Sequence, residues 1–197
     1  GFQDGSYIEL LGFYEESPDH AWWDLLHERG GGLIDFCMQT DDIRADHAAL
    51  KAQGVEMSEL AELTRDRPDG YHLSWINNKT FGKYQGIVPF IIEDQTPRDE
   101  RVPKERTHSN GVTGIETLTL VTGDLALVKH IFSGLDGVTG EDITRDDLQA
   151  EGIRYRIGAH QIDYLAPASE DSPLRRWLNA NKPVPYSVTF KTSGEPK

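Results

Sequence analysis

Three carboxylates, Glu9, Asp35 and Glu93, stand in segments whose apolar residues alternate. In Ser6–Leu11, Ile8 and Leu10 form one face and leave Glu9 on the other. In Leu33–Gln39, Ile34, Phe36 and Met38 are apolar, with Asp35, Cys37 and Gln39 opposite. In Ile87–Glu93, packing of Phe90 and Ile92 would leave Ile91 and Glu93 opposite. Successive side chains of a strand point to opposite faces, so all three carboxylates are expected on open sheet faces. Such a set can coordinate a divalent ion, and Mn, Fe, Ni, Zn and Mg all accept oxygen ligands. The same residues equally suit a wet face that holds no metal.

His72 is a second kind of candidate. It lies on the expected strand Tyr71–Asn77, and inward packing of Tyr71, Leu73 and Trp75 would turn His72 and Ser74 to the open side. A neutral imidazole there could serve as general base, as could Glu93; a surface strand histidine is the plainer reading. His20, His27 and His47 fall on expected helices, and His108 in a turn. Gly30-Gly31-Gly32 follows a helix instead of opening one, so it is not a phosphate loop. The sequence has no GxGxxG, GxSxG or HExxH motif.

The elements that would position these residues alternate between strands and short helices. Ser17-Pro18 predicts a helix over Asp19–Glu28, and Asp41-Asp42 lead into a helix over Ile43–Gln53. The weakly periodic stretch Val55–Asp66 follows. Asp94–Asn110, with Pro97, Pro103 and little apolar content, reads as a linker. Beyond it come a strand Gly114–Val121, a helix from Asp124 to about Ser133, and an undefined stretch Gly137–Gln149. Strands Ile153–Ile157 and His160–Leu165, a helix Leu174–Asn179 and a strand Pro185–Lys191 complete the pattern.

An internal repeat supports this order. Tyr7-Ile8-Glu9-Leu10-Leu11, Ser17-Pro18, Trp22 and the Phe36 strand are matched by Gln161-Ile162-Asp163-Tyr164-Leu165, Ser172-Pro173, Trp177 and the Val188 strand. The step from serine to tryptophan is the same in both copies, and the shared order indicates duplicated units. The second copy is preceded by a strand, a helix and another strand, so the equivalent part of the first is expected to be absent from this sequence. The divisions are therefore 1–95, a domain lacking that part; 96–112, the linker; and 113–197, a degenerate further module.

Bulk properties exclude several classes. The 197 residues carry 33 acidic against 20 basic side chains, a net charge of −13, which argues against a nucleic-acid partner. No apolar run approaches the ~20 residues of a membrane helix, and no signal pattern is present. One cysteine, Cys37, excludes an intrachain disulfide and fits a reducing, cytoplasmic setting.

The phrase from Phe2 to Leu10 resembles the "DG-Y-IEL" ending of a vicinal-oxygen-chelate module. Leu33–Phe36 with Thr40–Ile43 resembles the beginning of one. Arg67–Gly70, Pro89–Glu93 and His108–Val112 resemble the glyoxalase-like domain family of that superfamily. The resemblance implies an α+β fold of repeated βαβββ modules, forming open, cup-shaped mixed sheets with helices on the outer face. In metal-dependent members, one ligand comes from the first and one from the fourth strand of each module. Glu9, Asp35 and Glu93 match three of those positions, with Asp35 where histidine is usual. Thr117, Asp163 and Ser187 match in the second half and make a weak metal set.

The family implies a metal-assisted lyase or isomerase acting on a small oxygenated metabolite, dioxygenase chemistry being a weaker fit. Glu9, Asp35 and Glu93 would hold the ion, and Glu93 or His72 would move a proton. The alternative is a metal-free protein of bleomycin-resistance type that sequesters a small molecule between aromatics such as Tyr71 and Trp75. An open sheet with an incomplete first module favours pairing into a homodimer.

Overall fold

The computed structural model describes residues 1–20, 22–181 and 183–194. After a short helix α1 (Trp23–Arg29), two units of the same design follow. The first comprises β1 (Cys37–Gln39), α2 (Ile43–Ala52), β2 (Ala61–Asp66), β3 (His72–Asn77) and β4 (Phe90–Asp94). The second, reached through α3 (Arg98–Arg101), comprises β5 (Val112–Val121), α4 (Leu125–Phe132), β6 (Gly140–Arg145), β7 (Ala150–Ile157) and β8 (His160–Pro167). Helix α5 (Pro173–Ala180) and β9 (Pro185–Thr192) close the described chain. Sheet order is β1-β4-β3-β2 in the first unit and β6-β7-β8-β5-β9 in the second, with β1 parallel to β4 and β5 parallel to β8. Each unit is thus a βαβββ module, and β9 adds antiparallel to the free side of β5.

Both crossovers use one local device. Asp42 caps α2 by accepting from Ala45 N (3.0 Å), and Asp124 caps α4 by accepting from Leu127 N (2.8 Å). The hydroxyl of Thr40 accepts from Asp42 N and that of Thr122 from Asp124 N, each at 3.0 Å. These bonds satisfy donors that a helix start leaves free. Ile43, His47 and Leu50 of α2, and Val128, Ile131 and Phe132 of α4, lie at helical spacing and are buried.

The buried faces meet in one core. Ile76 and Ile91 of the first sheet, Leu120, Ile153, Tyr155, Ile162 and Tyr164 of the second, and both helices belong to a single apolar cluster. Tyr164 Oη donates to the Ile87 carbonyl at 2.6 Å, a buried bond between the units. Gly86, at φ 73°, lies where a Cβ would come 2.2 Å from the Pro183 carbonyl, so a side chain there would collide with backbone. With the helices on the shared side, each sheet turns its other face away from the common core.

Several expectations need correction. Ser6–Leu11 forms no strand: the backbone from Tyr7 to Glu16 makes no backbone–backbone hydrogen bond among the described residues, and a strand needs a neighbour to bond. Ile8, Leu10, Leu11 and Tyr14 are consequently exposed. The strand expected over Leu33–Gln39 shrinks to Cys37–Gln39 because pairing runs only opposite Phe90–Ile92. The undefined stretch 137–149 contains β6, and the linker contains α3.

Candidate functional site

The face of the first sheet turned away from the core follows from the pairings. Met38 pairs with Ile91 on the core side, so Cys37, opposite Phe90, lies on the other side together with Ile92 and Asp94. Trp75 pairs with Asp94, and Asn77 with Ile92, which puts Trp75 and Leu73 on this open face too. Asp35, two residues before Cys37, is held at its margin. Its Oδ1 accepts from Phe36 N at 2.8 Å and its Oδ2 from Trp22 Nε1 at 3.3 Å. The Trp22 and Phe90 rings lie 6.5 Å apart. Burial raises the Asp35 carboxyl to about 6, against the lowering effect of its two hydrogen bonds.

The neighbouring charges are mostly engaged. Arg101 forms an ion pair with Asp94, and its Nη1 donates to Tyr7 Oη at 2.7 Å. The Asp94 and Arg101 side chains are only 5% and 10% exposed, so this pair is a fixed part of the face. Burial pushes the Cys37 thiol far above its usual range; Arg101 opposes the shift, while Asp35, Glu9 and Asp94 add to it. Cys37 is therefore a protonated packing residue instead of a nucleophile. Glu9 belongs to this neighbourhood and is exposed.

The second sheet's open face is built differently. Asp163, 1% exposed, receives Nε and Nη2 of Arg154, both at 2.7 Å. Thr119 pairs with Asp163 on one side and Ser187 on the other, and the Thr117 hydroxyl donates to Gln161 at 3.4 Å. Val121, Leu165 and Leu174 form a smaller cluster, with Trp177 and Tyr186 packed against it.

A family model described as "Glyoxalase-like domain" matches residues 1–135. The chain belongs to the glyoxalase-like domain family. This places it in the vicinal-oxygen-chelate superfamily and agrees with the two βαβββ units. No curated protein matches the chain. Among solved structures, a hypothetical protein from Staphylococcus aureus superposes at TM-score 0.50 and 16% identity, covering 76% of this chain and 58% of that one. Methylmalonyl-CoA epimerase from Mycobacterium tuberculosis gives TM-score 0.41 and 19% identity over 46% of this chain and 63% of that one. A methylmalonyl-CoA epimerase from Streptomyces coelicolor gives 0.39 and 20% over 43% and 65%. The glyoxalase-like chain thus spans less than two thirds of each of these structures.

The family resemblance implies a divalent ion, and the donor set can be tested against it. The backbone of Thr40 donates to the Ile92 carbonyl, as that of Thr122 does to Leu165, and Cys37 pairs with Phe90 as Thr119 pairs with Asp163. Phe90 therefore occupies the position that Asp163 occupies in the second unit. Glu93 lies three residues farther along and on the core side. Its Oε2 accepts from Ile43 N at 2.9 Å at the start of α2, and its Oε1 from Gln95 at 2.7 Å. Glu9 is exposed and acts on Cys37 only through its charge, Asp35 lies at the margin of the open face, and Glu93 is on the other side. Among the described residues, no group of three or more His, Cys, Asp or Glu side chains is placed to hold a metal ion. The residues present do not fit the implied ion.

The other sequence candidates divide similarly. His72 shares the phase of Ile76, on the core side, and its Nδ1 lies 2.7 Å from Asp66 Oδ1 in an exposed pair at the hairpin end. Trp75 does reach the open face. Tyr71 lies under the Arg67 guanidinium, 4.8 Å from its ring centre. Residue-by-residue reading missed Arg101 and Asp94. Asp94 directly follows Glu93 on the strand, and the charge-mixed segment carrying Arg101 gave no sign that it folds back onto the sheet.

Proposed function

We propose that this glyoxalase-like chain is a small-molecule enzyme of isomerase or lyase type, with Asp35 moving a proton at a carbon beside a carbonyl group. The observation that supports this is a carboxyl on the open face, beneath Trp22, that burial raises to about 6. Both protonation states are then populated near neutrality, as an acid–base catalyst requires. The Phe36 and Trp22 N–H groups orient the carboxylate through one bond to each of its oxygens. Trp22 and Phe90 supply apolar walls that limit water around the proton in transfer.

The test is solvent deuterium incorporation into enolisable acids and dicarbonyl compounds by the wild-type chain and Asp35→Asn. Incorporation that falls by about 10²- to 10⁴-fold in the variant supports the assignment. Binding of such compounds without exchange favours the sequestering reading, which the aromatic lining of Trp22, Phe90 and Trp75 also suits.

We also infer that another strand completes the first sheet. By the internal repeat, Tyr7–Leu11 stands where β8 stands and β1 where β9 stands, and β5 lies between those two. A strand between Tyr7–Leu11 and β1 would satisfy the bare backbone and cover Ile8 and Leu10. Sedimentation equilibrium tests a second copy as its source: a dimer dissociated by Leu10→Asp supports the homodimer, and a monomer at all concentrations rejects it.

A further inference from the structure

The chain carries thirteen more negative than positive charges, yet one cleft gathers cations. It has a volume of about 420 Å³ and lies between the end of β2 and the α3 segment. Arg65, Arg67, Arg101 and Lys104 line it, with Asp69 and Glu100 as its acidic members. These six side chains sum to +2, and to +1 once Asp94, paired with Arg101, is included.

The cations are not equivalent. Arg67 is pinned: its Nε donates to Asp69 at 3.0 Å, its Nη2 also reaches Asp69, and its Nη1 donates to Glu100 Oε2 at 2.7 Å. The Arg67 guanidinium holds Asp69 down to about 2, and Arg67 with Lys104 lowers Glu100, so both carboxylates stay charged and the clamp persists over the physiological range. Arg101 is pinned by Asp94 and Tyr7. Lys104 reaches the two Glu100 oxygens only at 3.3 and 3.4 Å and is largely exposed. Arg65 is different. It projects from the exposed strand β2, pairs across to Leu73 on the open-face side, and has no hydrogen-bond or ion-pair partner among the described residues.

Two guanidiniums held rigid by carboxylates, beside a free guanidinium and a loosely held ammonium, make a preorganised receptor for an anion. Fixed donors need little reordering on binding, and a concave wall concentrates the local field despite the acidity elsewhere. Arg101 belongs both to this cleft and to the face that carries Asp94 and Cys37.

We propose that this cleft binds the carboxylate or phosphate group of a small acidic metabolite, with Arg65 and Lys104 as direct ligands and Arg67 and Arg101 as positioned donors. This deepens the proton-transfer reading by naming an acidic substrate class, and rests on that reading only for the ligand's being a substrate.

The test titrates inorganic phosphate and malonate separately into the full chain, following amide shifts around Arg65 and Arg101. Saturable shifts are expected with at least one probe, the tighter probe indicating which acid group the cleft prefers. Arg65→Glu should weaken binding at least about tenfold, because an opposing charge replaces an ionic hydrogen bond. Lys129→Glu, whose residue pairs with Asp142 on another side of the second unit, should leave binding unchanged. Absence of saturation with both probes, equal binding in Arg65→Glu, or equal loss in Lys129→Glu would overturn the proposal. No turnover enters this readout, so an inert Asp35 with intact anion binding sinks the catalytic reading alone, and active Asp35 with no anion binding sinks the cleft alone.

Discussion

The two βαβββ units share strand order, crossover and capping aspartate, yet their open faces have diverged. In the second unit, Asp163 is buried and neutralised by Arg154. In the first, the equivalent position is Phe90, and the nearby carboxyl, Asp35, is held by two N–H donors without a cation. Both faces hold a bidentate arginine–aspartate pair, Arg154–Asp163 in the second and Arg101–Asp94 in the first, but only the first adds an acid, Asp35, poised between two protonation states. Features that close the backbone recur in both units, because unpaired donors at a helix start are costly wherever they occur. The open faces carry no such requirement and could take different chemistry.

Removing the ion pair should give the largest effect. Asp163→Ala strands the Arg154 guanidinium against a buried strand and should cost about 3 kcal/mol in urea unfolding, whereas Phe90→Leu at the matching position should cost about 1 kcal/mol. Equal losses would mean that the charge at Asp163 does not distinguish that position from Phe90.

Asp35→Asn should have the opposite sign. The Asp35 carboxyl titrates at 3.8 when unfolded and at about 6 in the fold. The folded chain therefore holds the extra proton between those values, and this group's favourable contribution is complete below pH 4 and is lost as pH rises through 6. At pH 7 the charged form is a net penalty of about 1–3 kcal/mol. The variant should be more stable than wild type at pH 7 by an amount of that order, and the pH 4–6 slope of stability should flatten.

The capping residues should show the smallest and most even effects. Asp42→Ala and Asp124→Ala should each lower stability by about 1 kcal/mol. A loss confined to one variant would show that the shared geometry is not shared energetically.

Much of the fold was legible because helices α2, α4 and α5 announce themselves by Asp42, Asp124 and Ser172-Pro173, and the open-sheet family by its short phrases. The phase of β4 was not. Ile87-Val88-Pro89-Phe90-Ile91-Ile92 is apolar throughout, and Ile91 and Ile92 are both buried, so no alternation marked which face Glu93 takes. Strand β6 was hidden for the opposite reason: Gly140–Arg145 is largely polar and exposed, with no apolar stripe to report it. The flanking Ile34, Phe36 and Met38 marked Asp35 as a candidate ligand on a strand, although the strand itself begins only at Cys37. The raised acidity range of Asp35 was not legible, since it comes from burial that only the folded chain provides, opposed by hydrogen bonds from Phe36 and from Trp22, thirteen residues away.

The most direct test of the account is the titration of the Asp35 side-chain carboxyl, followed by carbon NMR and assigned with Asp35→Asn. A midpoint near 6 that shifts in Trp22→Phe, where the indole N–H is lost, is the expected result. A midpoint near the ordinary 3.8 would contradict it, leaving Asp35 a fixed charge and the first open face without its proton-transfer group.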